Sequence, residues 1–164
     1  LTALSNNTAV QAERDRLNAD IVSLFVEDNQ SGTLGVAFGS STLSPSSEMQ
    51  CWNVVQLQAV AGSYHSFAHE TGHNMGCMHN KDQSNPGSGP FTYSHGWRWV
   101  GNDGNKYRSL LSYQVHNPEP RIIHFSNPAV SYKGVPTGDA QNGNNAATIN
   151  AMAPIISKFR PKVP

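Results

Sequence analysis

The segment HETGHNMGCMH at residues 69–79 concentrates side chains that bind metal ions. His69 and His73 are four residues apart, so on a helix both imidazoles lie on one face and can bind a single ion. Glu70 follows the first of these histidines, where a carboxylate can polarise a water molecule bound to the ion. The spacing predicts a metal site that activates water.

The third histidine of the segment, His79, lies six residues after His73. A continued helix would rotate it by about 600°, away from the first two rings. Gly76 permits the positive-φ turn that ends a helix, so the chain can double back and bring the third ring to the same ion. Three neutral imidazoles leave the fourth position of zinc open for water, as in catalytic rather than structural sites.

A polar helix with solvated histidines is the alternative interpretation of this segment. From the composition of the chain, its five fixed positions match by chance with a probability of roughly 3 × 10⁻⁵. We therefore favour the catalytic zinc site.

Periodicity predicts the elements that must position these side chains. Apolar residues at helical spacing indicate a helix over 9–20. Compact apolar runs indicate three strands, over 20–28, 33–38 and 53–60.

Two further helices follow in the sequence. Ser63 can cap a helix that carries the histidines and stops at Gly76. A final helix over 145–159 presents its apolar residues on one stripe, and Pro154 within it predicts a kink or a break.

Glycine, proline and asparagine dominate residues 80–106 and 117–145, which predicts irregular loops there. The chain thus divides into an N-terminal half, 1–76, with mixed elements and a loop-rich C-terminal half, 77–164, that ends in a helix. Its 164 residues suffice for one core. We expect a single α+β domain with a small mixed sheet.

Eleven Lys and Arg residues balance eleven Asp and Glu residues, so the formal net charge is zero. This balance argues against nucleic-acid and acidic-membrane partners. No apolar run approaches the ~18–20 residues of a membrane span, and the residues from Leu1 onward lack the features of a signal peptide. Uncharged side chains supply most of the polarity, which is typical of secreted proteins. We expect a mature or trimmed domain of such a protein, acting as a monomer.

Several other polar residues admit two interpretations. Cys51 and Cys77 could form one disulfide or remain two separate buried thiols. The Asp- and Asn-rich stretches 101–106 and 139–145 could bind calcium, but they lack EF-hand spacing and are more typical of solvated turns. His65 shares a helix face with the motif, and packing or solvent contact is its favoured role.

The segment 69–79 matches HExxHxxGxxH, the zinc signature of the metzincin metallopeptidases, at every fixed position. The resemblance extends to FTYSHGW at 91–97, YRSLLSY at 107–113 and FSNPAVSYKGVPTG at 125–138, and it covers most of residues 20–160. In these segments the chain resembles secreted bacterial reprolysin-like (adamalysin-like) enzymes.

The resemblance implies a zinc endopeptidase with one catalytic zinc ion. In such an enzyme His69, His73 and His79 bind the zinc. Glu70 is the general base that activates the zinc-bound water and then passes the proton to the leaving amine.

The resemblance also implies where a protein or peptide substrate binds. Residues 33–38 would be the edge strand against which an extended peptide lies antiparallel, a form of strand addition. Residues 124–132 would form a wall of the pocket for the side chain that follows the scissile bond, with His124 as a candidate for substrate contact.

The sequence departs from the family pattern at two positions, and a third residue close to them admits two roles. Leu111 replaces the metzincin methionine beneath the zinc and, being close to isosteric, should preserve an apolar floor at a cost usually under ~1.5 kcal/mol. Asn80 stands where reprolysin-like enzymes have Asp, which removes a charge. Tyr113 contributes either to the zinc site or, as we favour, to packing.

The family pattern also has a strand and a long helix before the first strand predicted here. For the domain at 1–164 we therefore expect that these elements have been cut away, that they lie on another chain, or that it is an unusually small member. Together with Leu111 and Asn80, this shortness supports an alternative function, a catalytically weak or inactive zinc-binding relative that binds peptides or a partner.

Overall fold

A computed structural model describes residues 1–27, 32–42, 44–60, 64–83 and 88–161. The helices are α1 (Thr2–Ser5), α2 (Thr8–Leu17), α3 (Ser66–Asn74) and α4 (Asn145–Ile156), with 3-10 turns at Pro45–Gln50 and Leu57–Ala59. The strands are β1 (Val22–Val26), β2 (Gly35–Ala37), β3 (Trp52–Gln56), β4 (Arg98–Val100), β5 (Lys106–Arg108), β6 (Ser131–Tyr132) and β7 (Val135–Pro136). Within the described ranges, no helix has the length and apolar character that crossing a membrane requires.

A three-stranded mixed sheet forms the framework of the N-terminal half, in the order β1-β3-β2. β1 is parallel to β3, with Val22 opposite Trp52, and β2 is antiparallel to β3, with Gly35 opposite Val55. The predicted small mixed sheet is confirmed. The third strand ends earlier than predicted, at Gln56, because the chain continues there into a 3-10 turn.

The predicted helix over 9–20 corresponds to α2. Asn7 caps its start, because the side-chain oxygen accepts hydrogen bonds from two backbone N–H groups of the first turn. Asn18 ends the helix in the left-handed conformation. The buried guanidinium of Arg14 lies 4.9 Å from the centre of the Trp52 ring, so a cation–π contact holds this helix against the sheet.

The helix that carries the histidine motif, α3, begins three residues after the predicted cap, Ser63, which lies outside the described residues. His65 precedes the helix in the left-handed conformation, and its side chain does not cap it. The helix ends at Asn74, and Gly76 follows with φ 83°, as predicted. A Cβ atom at Gly76 would lie 2.9 Å from Pro90 Cγ, so backbone and space both require glycine.

Asn74 joins the end of α3 to the sheet, and its side chain is fully buried. Its amide nitrogen lies 2.8–3.0 Å from the backbone oxygens of Gln50, Trp52 and Phe38. Its amide oxygen accepts a hydrogen bond of 2.8 Å from the side chain of Asn53. One side chain therefore satisfies polar groups of three segments that meet beneath the helix.

Two buried clusters form the apolar core. The first contains Cys51, Met152 and Ile156, and the second contains Cys77, Leu110 and Leu111. Both cysteines are free thiols in different clusters, so the predicted disulfide alternative is wrong. Burial raises the pKa of Cys51 to about 11, so this thiol stays protonated at neutral pH.

The predicted final helix is α4, and its apolar stripe packs into the core. Pro154 lies inside the helix, which continues to Ile156, so the predicted break is wrong. The proline stands in the last turn and removes a single backbone hydrogen bond there. Burial of Met152 and Ile156 outweighs that loss.

The C-terminal half contains two short hairpins, β4–β5 and β6–β7, and all of their strands except β5 lie within segments predicted as loops. Their aromatic rings pack together, since the Tyr107 ring centre lies 6.0 Å from that of Trp99 and 5.1 Å from that of Tyr132. Strands of two or three residues carry too little alternation for sequence periodicity to reveal them.

The role of Asn74 can be measured as a change in stability. We expect Asn74→Ala to lower the free energy of unfolding by about 2–4 kcal/mol, because buried carbonyls of the sheet lose their donor. Urea denaturation followed by circular dichroism measures the loss. The exposed Asn150 in α4 provides the control, and Asn150→Ala should change stability by less than about 0.5 kcal/mol. Equal effects of the two substitutions would contradict this assignment.

Candidate metal centre

Three imidazole rings converge where α3 meets the segment after it. The Nε2 atom of His69 lies 3.1 Å from that of His79 and 3.2 Å from that of His73. The remaining pair, His73 and His79, is separated by 3.0 Å. The structure therefore brings together the three predicted metal ligands, which form the only grouping of potential metal-binding side chains among the described residues.

Backbone carbonyls orient two of the rings. His69 Nδ1 lies 3.1 Å from the carbonyl oxygen of Leu110, and His73 Nδ1 lies 2.7 Å from that of Cys77. A carbonyl oxygen only accepts, so each Nδ1 carries the proton and each Nε2 presents a lone pair to the shared centre. The residues fit a cation, because converging lone pairs repel one another unless a positive ion lies between them.

The spacing also suits zinc. Two nitrogens bound tetrahedrally at about 2.0–2.1 Å from one ion are separated by about 3.3 Å. The observed separations of 3.0–3.2 Å are close to this value. Three neutral nitrogen ligands with one open position constitute the donor set of a catalytic zinc site.

Burial keeps the rings neutral. The pKa of His69 is lowered to about 2 and that of His79 to about 3. Burial is the larger cause of both shifts, and the charge of the neighbouring His73 adds to it. The pKa of His73 is also lowered by burial. Neutral imidazoles are the form that binds a metal ion.

The segment that carries His79 is fixed by a histidine that sequence spacing did not single out. His95 is fully buried, and its Nδ1 lies 2.8 Å from the carbonyl oxygen of His79. Backbone bonds between Met78 and residues 94 and 96 accompany this contact. The contact is long-range in sequence, so only the occurrence of FTYSHGW among the resembling segments could have indicated it.

Leu111 packs against the helix that carries two of the histidines. A Cβ atom at Gly72 in α3 would lie 3.1 Å from Leu111 Cδ1 and 2.7 Å from Phe125 Cε1. The helix thus rests directly on these two side chains, and Leu111 is fully buried. Leucine in this position therefore keeps a buried apolar contact with α3.

Glu70 lies against the edge strand of the sheet. A Cβ atom at Gly35 in β2 would lie only 2.7 Å from Glu70 Oε1, so the absence of a side chain there makes room for the carboxylate. The residue is 6% exposed. Burial raises the pKa of its carboxyl to about 7, while Arg121 acts in the opposite direction.

A cleft of about 250 Å³ opens beside His69 and the carboxylate of Glu70. It is lined by Thr33, Leu34, Gly35, Tyr64, Ser66, His69, Glu70, Tyr113 and Arg121. A larger pocket of about 640 Å³ adjoins it and shares Leu34, Tyr64 and Arg121. Much of its lining comes from the segment 114–123, and the predicted role of residues 124–132 as a substrate-pocket wall stays a prediction.

Asn80 and Tyr113 connect the third histidine to the segment after the floor. The side-chain oxygen of buried Asn80 accepts a hydrogen bond of 2.9 Å from the backbone N–H of Tyr113, and its amide nitrogen donates to Asp82. An aspartate in place of Asn80 would have no N–H donor for the Asp82 carboxylate and would be repelled by its charge. The Tyr113 ring packs against His79, with ring centres 4.1 Å apart, at the border of the cleft.

The remaining candidates lie outside the metal centre. His65 lines the larger pocket rather than joining the three histidines, and the His124 side chain is exposed. In the stretches considered for calcium, Asp103 bonds to Tyr107 and Asp139 to the backbone of its own turn. These carboxylates serve local turns, as favoured from the sequence.

A family model described as metallo-peptidase family M12 matches residues 1–126. A peptidyl-Asp metalloendopeptidase of Stenotrophomonas maltophilia (strain R551-3) is 31% identical over 153 residues, covering 93% of this chain and 34% of the relative. A protein of the same name from Xanthomonas campestris pv. campestris has the same identity and coverage. One from Pseudomonas aeruginosa is 27% identical over 179 residues, 94% of this chain and 29% of the relative. The chain thus spans about a third of the length of these relatives.

A solved structure described as a chaperone-substrate complex also matches, with a TM-score of 0.70 and 21% identity. The match covers 98% of this chain and 24% of that chain. It shows that the two share a fold.

Zinc binding can be tested ligand by ligand. We expect one zinc ion per chain, and we expect His79→Ala to weaken binding by more than about 100-fold, because the open site loses a third of its nitrogen ligands. Titration of the metal-free chain, followed by calorimetry, measures the affinity. His65→Ala is the matched control and should bind zinc as the wild type does. Unchanged affinity in His79→Ala would refute the three-histidine site.

Proposed function

This chain belongs to metallo-peptidase family M12, which confirms the resemblance to reprolysin-like metallopeptidases, and we propose that it is a zinc-dependent endopeptidase. The observation that carries the proposal is the convergence of three Nε2 atoms, one of which belongs to His69 in the wall of a cleft that the buried carboxylate of Glu70 also lines. A structural zinc site would be closed by a fourth protein ligand and would need no cleft.

His69, His73 and His79 would hold the zinc ion, and Glu70 would move the proton. When bound, zinc supplies Lewis acidity toward the scissile carbonyl and lowers the pKa of water. Glu70 accepts a proton as the water oxygen bonds to the carbonyl carbon. It then donates that proton to the nitrogen as the carbon–nitrogen bond breaks, so water is divided between the new carboxylate and the new amine.

The substrate would bind as an extended strand along β2. This strand pairs with β3 on one side and lies at the edge of the sheet, and residues 33–35 line the cleft. An antiparallel peptide there would satisfy the free backbone groups of the edge. The relatives are named peptidyl-Asp metalloendopeptidases, so we propose that this chain also cleaves beside Asp.

A non-catalytic zinc module that binds peptides is the second candidate from the sequence. The intact floor at Leu111 and the confined carboxylate of Glu70 favour the enzyme. That residues 1–164 form one catalytic domain, and that the protein is a secreted monomer acting on extracellular proteins without nucleic-acid or membrane partners, remain predictions.

A substitution of Glu70 distinguishes between the two candidate functions, the enzyme and the non-catalytic zinc module. We expect Glu70→Gln to bind zinc like the wild type and to lower kcat/KM by more than about 100-fold, since the glutamine amide cannot shuttle a proton. Cleavage of an Asp-containing peptide library, read by mass spectrometry, measures turnover. Chelation should abolish wild-type cleavage, and zinc should restore it. A folded, zinc-loaded wild type that cleaves no peptide would eliminate the enzyme.

The contact between Gly35 and Glu70 predicts a second effect on turnover. We expect Gly35→Ala to lower kcat about tenfold or more, because the added methyl group displaces the carboxylate by an ångström or so. Zinc affinity should be unchanged. The exposed neighbour provides the control, as Val36→Ala leaves the carboxylate in place. Wild-type turnover by Gly35→Ala would show that the position of this carboxylate is not critical.

A further inference from the structure

The six arginines of the chain divide into two groups by their partners. Four of them, Arg14, Arg16, Arg98 and Arg160, form ion pairs with carboxylates. Neither Arg108 nor Arg121 has a carboxylate within 4 Å among the residues that the structure describes. Both of these line the 640 Å³ pocket that adjoins the cleft.

Arg121 is the closer of the two to the reacting groups. It lines the larger pocket and also the cleft, which His69 and Glu70 line as well. Its Nη1 donates a hydrogen bond of 2.5 Å to the carbonyl oxygen of Tyr64, which holds the guanidinium in place. Its Nε is buried and has no partner among the described residues. Burial, followed by the charge of Arg108, lowers its pKa to about 10, so it remains charged at neutral pH.

In the described part of the chain, the larger pocket places no carboxylate within 4 Å of Arg121, although the charge of Glu70 in the neighbouring cleft acts on it. Glu119 lines the same pocket, but its carboxylate is almost fully buried and accepts hydrogen bonds from the backbone of residues 115 and 116. Its other oxygen faces Arg98, at 3.9 Å. Arg108 donates its own hydrogen bonds to the carbonyl oxygens of Glu119 and Ser112, which leaves it less free than Arg121 to bind a ligand.

A positioned, partly buried guanidinium without a carboxylate partner is complementary to an anionic ligand. We propose that Arg121 is the specificity-determining residue of the cleft and binds the carboxylate side chain of the substrate residue beside the scissile bond. This assignment rests on the proposed function and names the group that recognises an acidic substrate. The name of the relatives, peptidyl-Asp metalloendopeptidase, agrees with it.

Two peptides that differ only by Asp or Asn beside the scissile bond test the assignment. We expect the wild type to cleave the Asp peptide with a kcat/KM about 100-fold higher, because only the carboxylate pairs with the guanidinium. Arg121→Gln should lower kcat/KM for the Asp peptide by this factor of about 100. For the Asn peptide, kcat/KM should stay within about threefold of the wild-type value. Arg121→Lys keeps the positive charge but loses the paired N–H donors of the guanidinium. We therefore expect kcat/KM for the Asp peptide to fall about tenfold.

Arg16→Gln is the control for net charge, because Arg16 forms an exposed ion pair with Glu13 on α2 and lines neither the cleft nor the pocket. It should leave the Asp-to-Asn ratio unchanged. Thermal melting identifies any variant that fails to fold. A parallel loss for both peptides in Arg121→Gln and Arg121→Lys would assign a merely structural role and overturn the proposal. So would a wild type that does not prefer Asp.

Binding distinguishes failure of this assignment from failure of the proposed function. Zinc-loaded Glu70→Gln retains peptide without cleaving it, so fluorescence anisotropy with labelled Asp and Asn peptides gives affinities independent of turnover. We expect the Asp peptide to bind about 100-fold more tightly, and the added Arg121→Gln to abolish the difference. If the wild type binds the Asp peptide more tightly but hydrolyses neither peptide, the peptidase function is refuted and the assignment of Arg121 as the binding residue stands. Equal affinities would overturn the Arg121 site.

Discussion

Mutual repulsion of three imidazole lone pairs is the constraint on which the rest of this structure depends. The Nε2 atoms of the three histidines lie 3.0–3.2 Å apart, so without a cation each ring would move away from the others. The protein holds them through their other nitrogens, with the carbonyls of Leu110 and Cys77 fixing two rings. The segments that supply these carbonyls must therefore be as rigid as α3 itself.

The positions of α3 and its surroundings follow from that requirement. Two of the three histidines lie on this helix, so any shift of its axis would misplace both. Asn74 bonds the end of the helix to three segments at the sheet, and the contacts of Gly72 with Leu111 and Phe125 support it from below. The close packing of protein interiors allows such a supported helix few alternative positions.

The features that sequence predicted are those with short-range causes. The turn at Gly76 and the two histidines four residues apart depend on local geometry, and both are present in the structure. The start of α3 could not be predicted from its cap, since the residue before it, His65, uses backbone conformation rather than a side-chain bond. The roles of Asn74 and His95 depend on partners at least sixteen residues away, which no local pattern contains.

The cleft holds an acidic and a basic side chain, Glu70 and Arg121, that form no ion pair with each other. Four other arginines of the chain do pair with carboxylates. Glu70 is kept apart by its position against Gly35 at the sheet edge, and Arg121 by its bond to Tyr64. Both arrangements cost stability in the free protein. They are consistent with a site whose complementary charges belong to a ligand and an ion, because only bound partners can recover that cost.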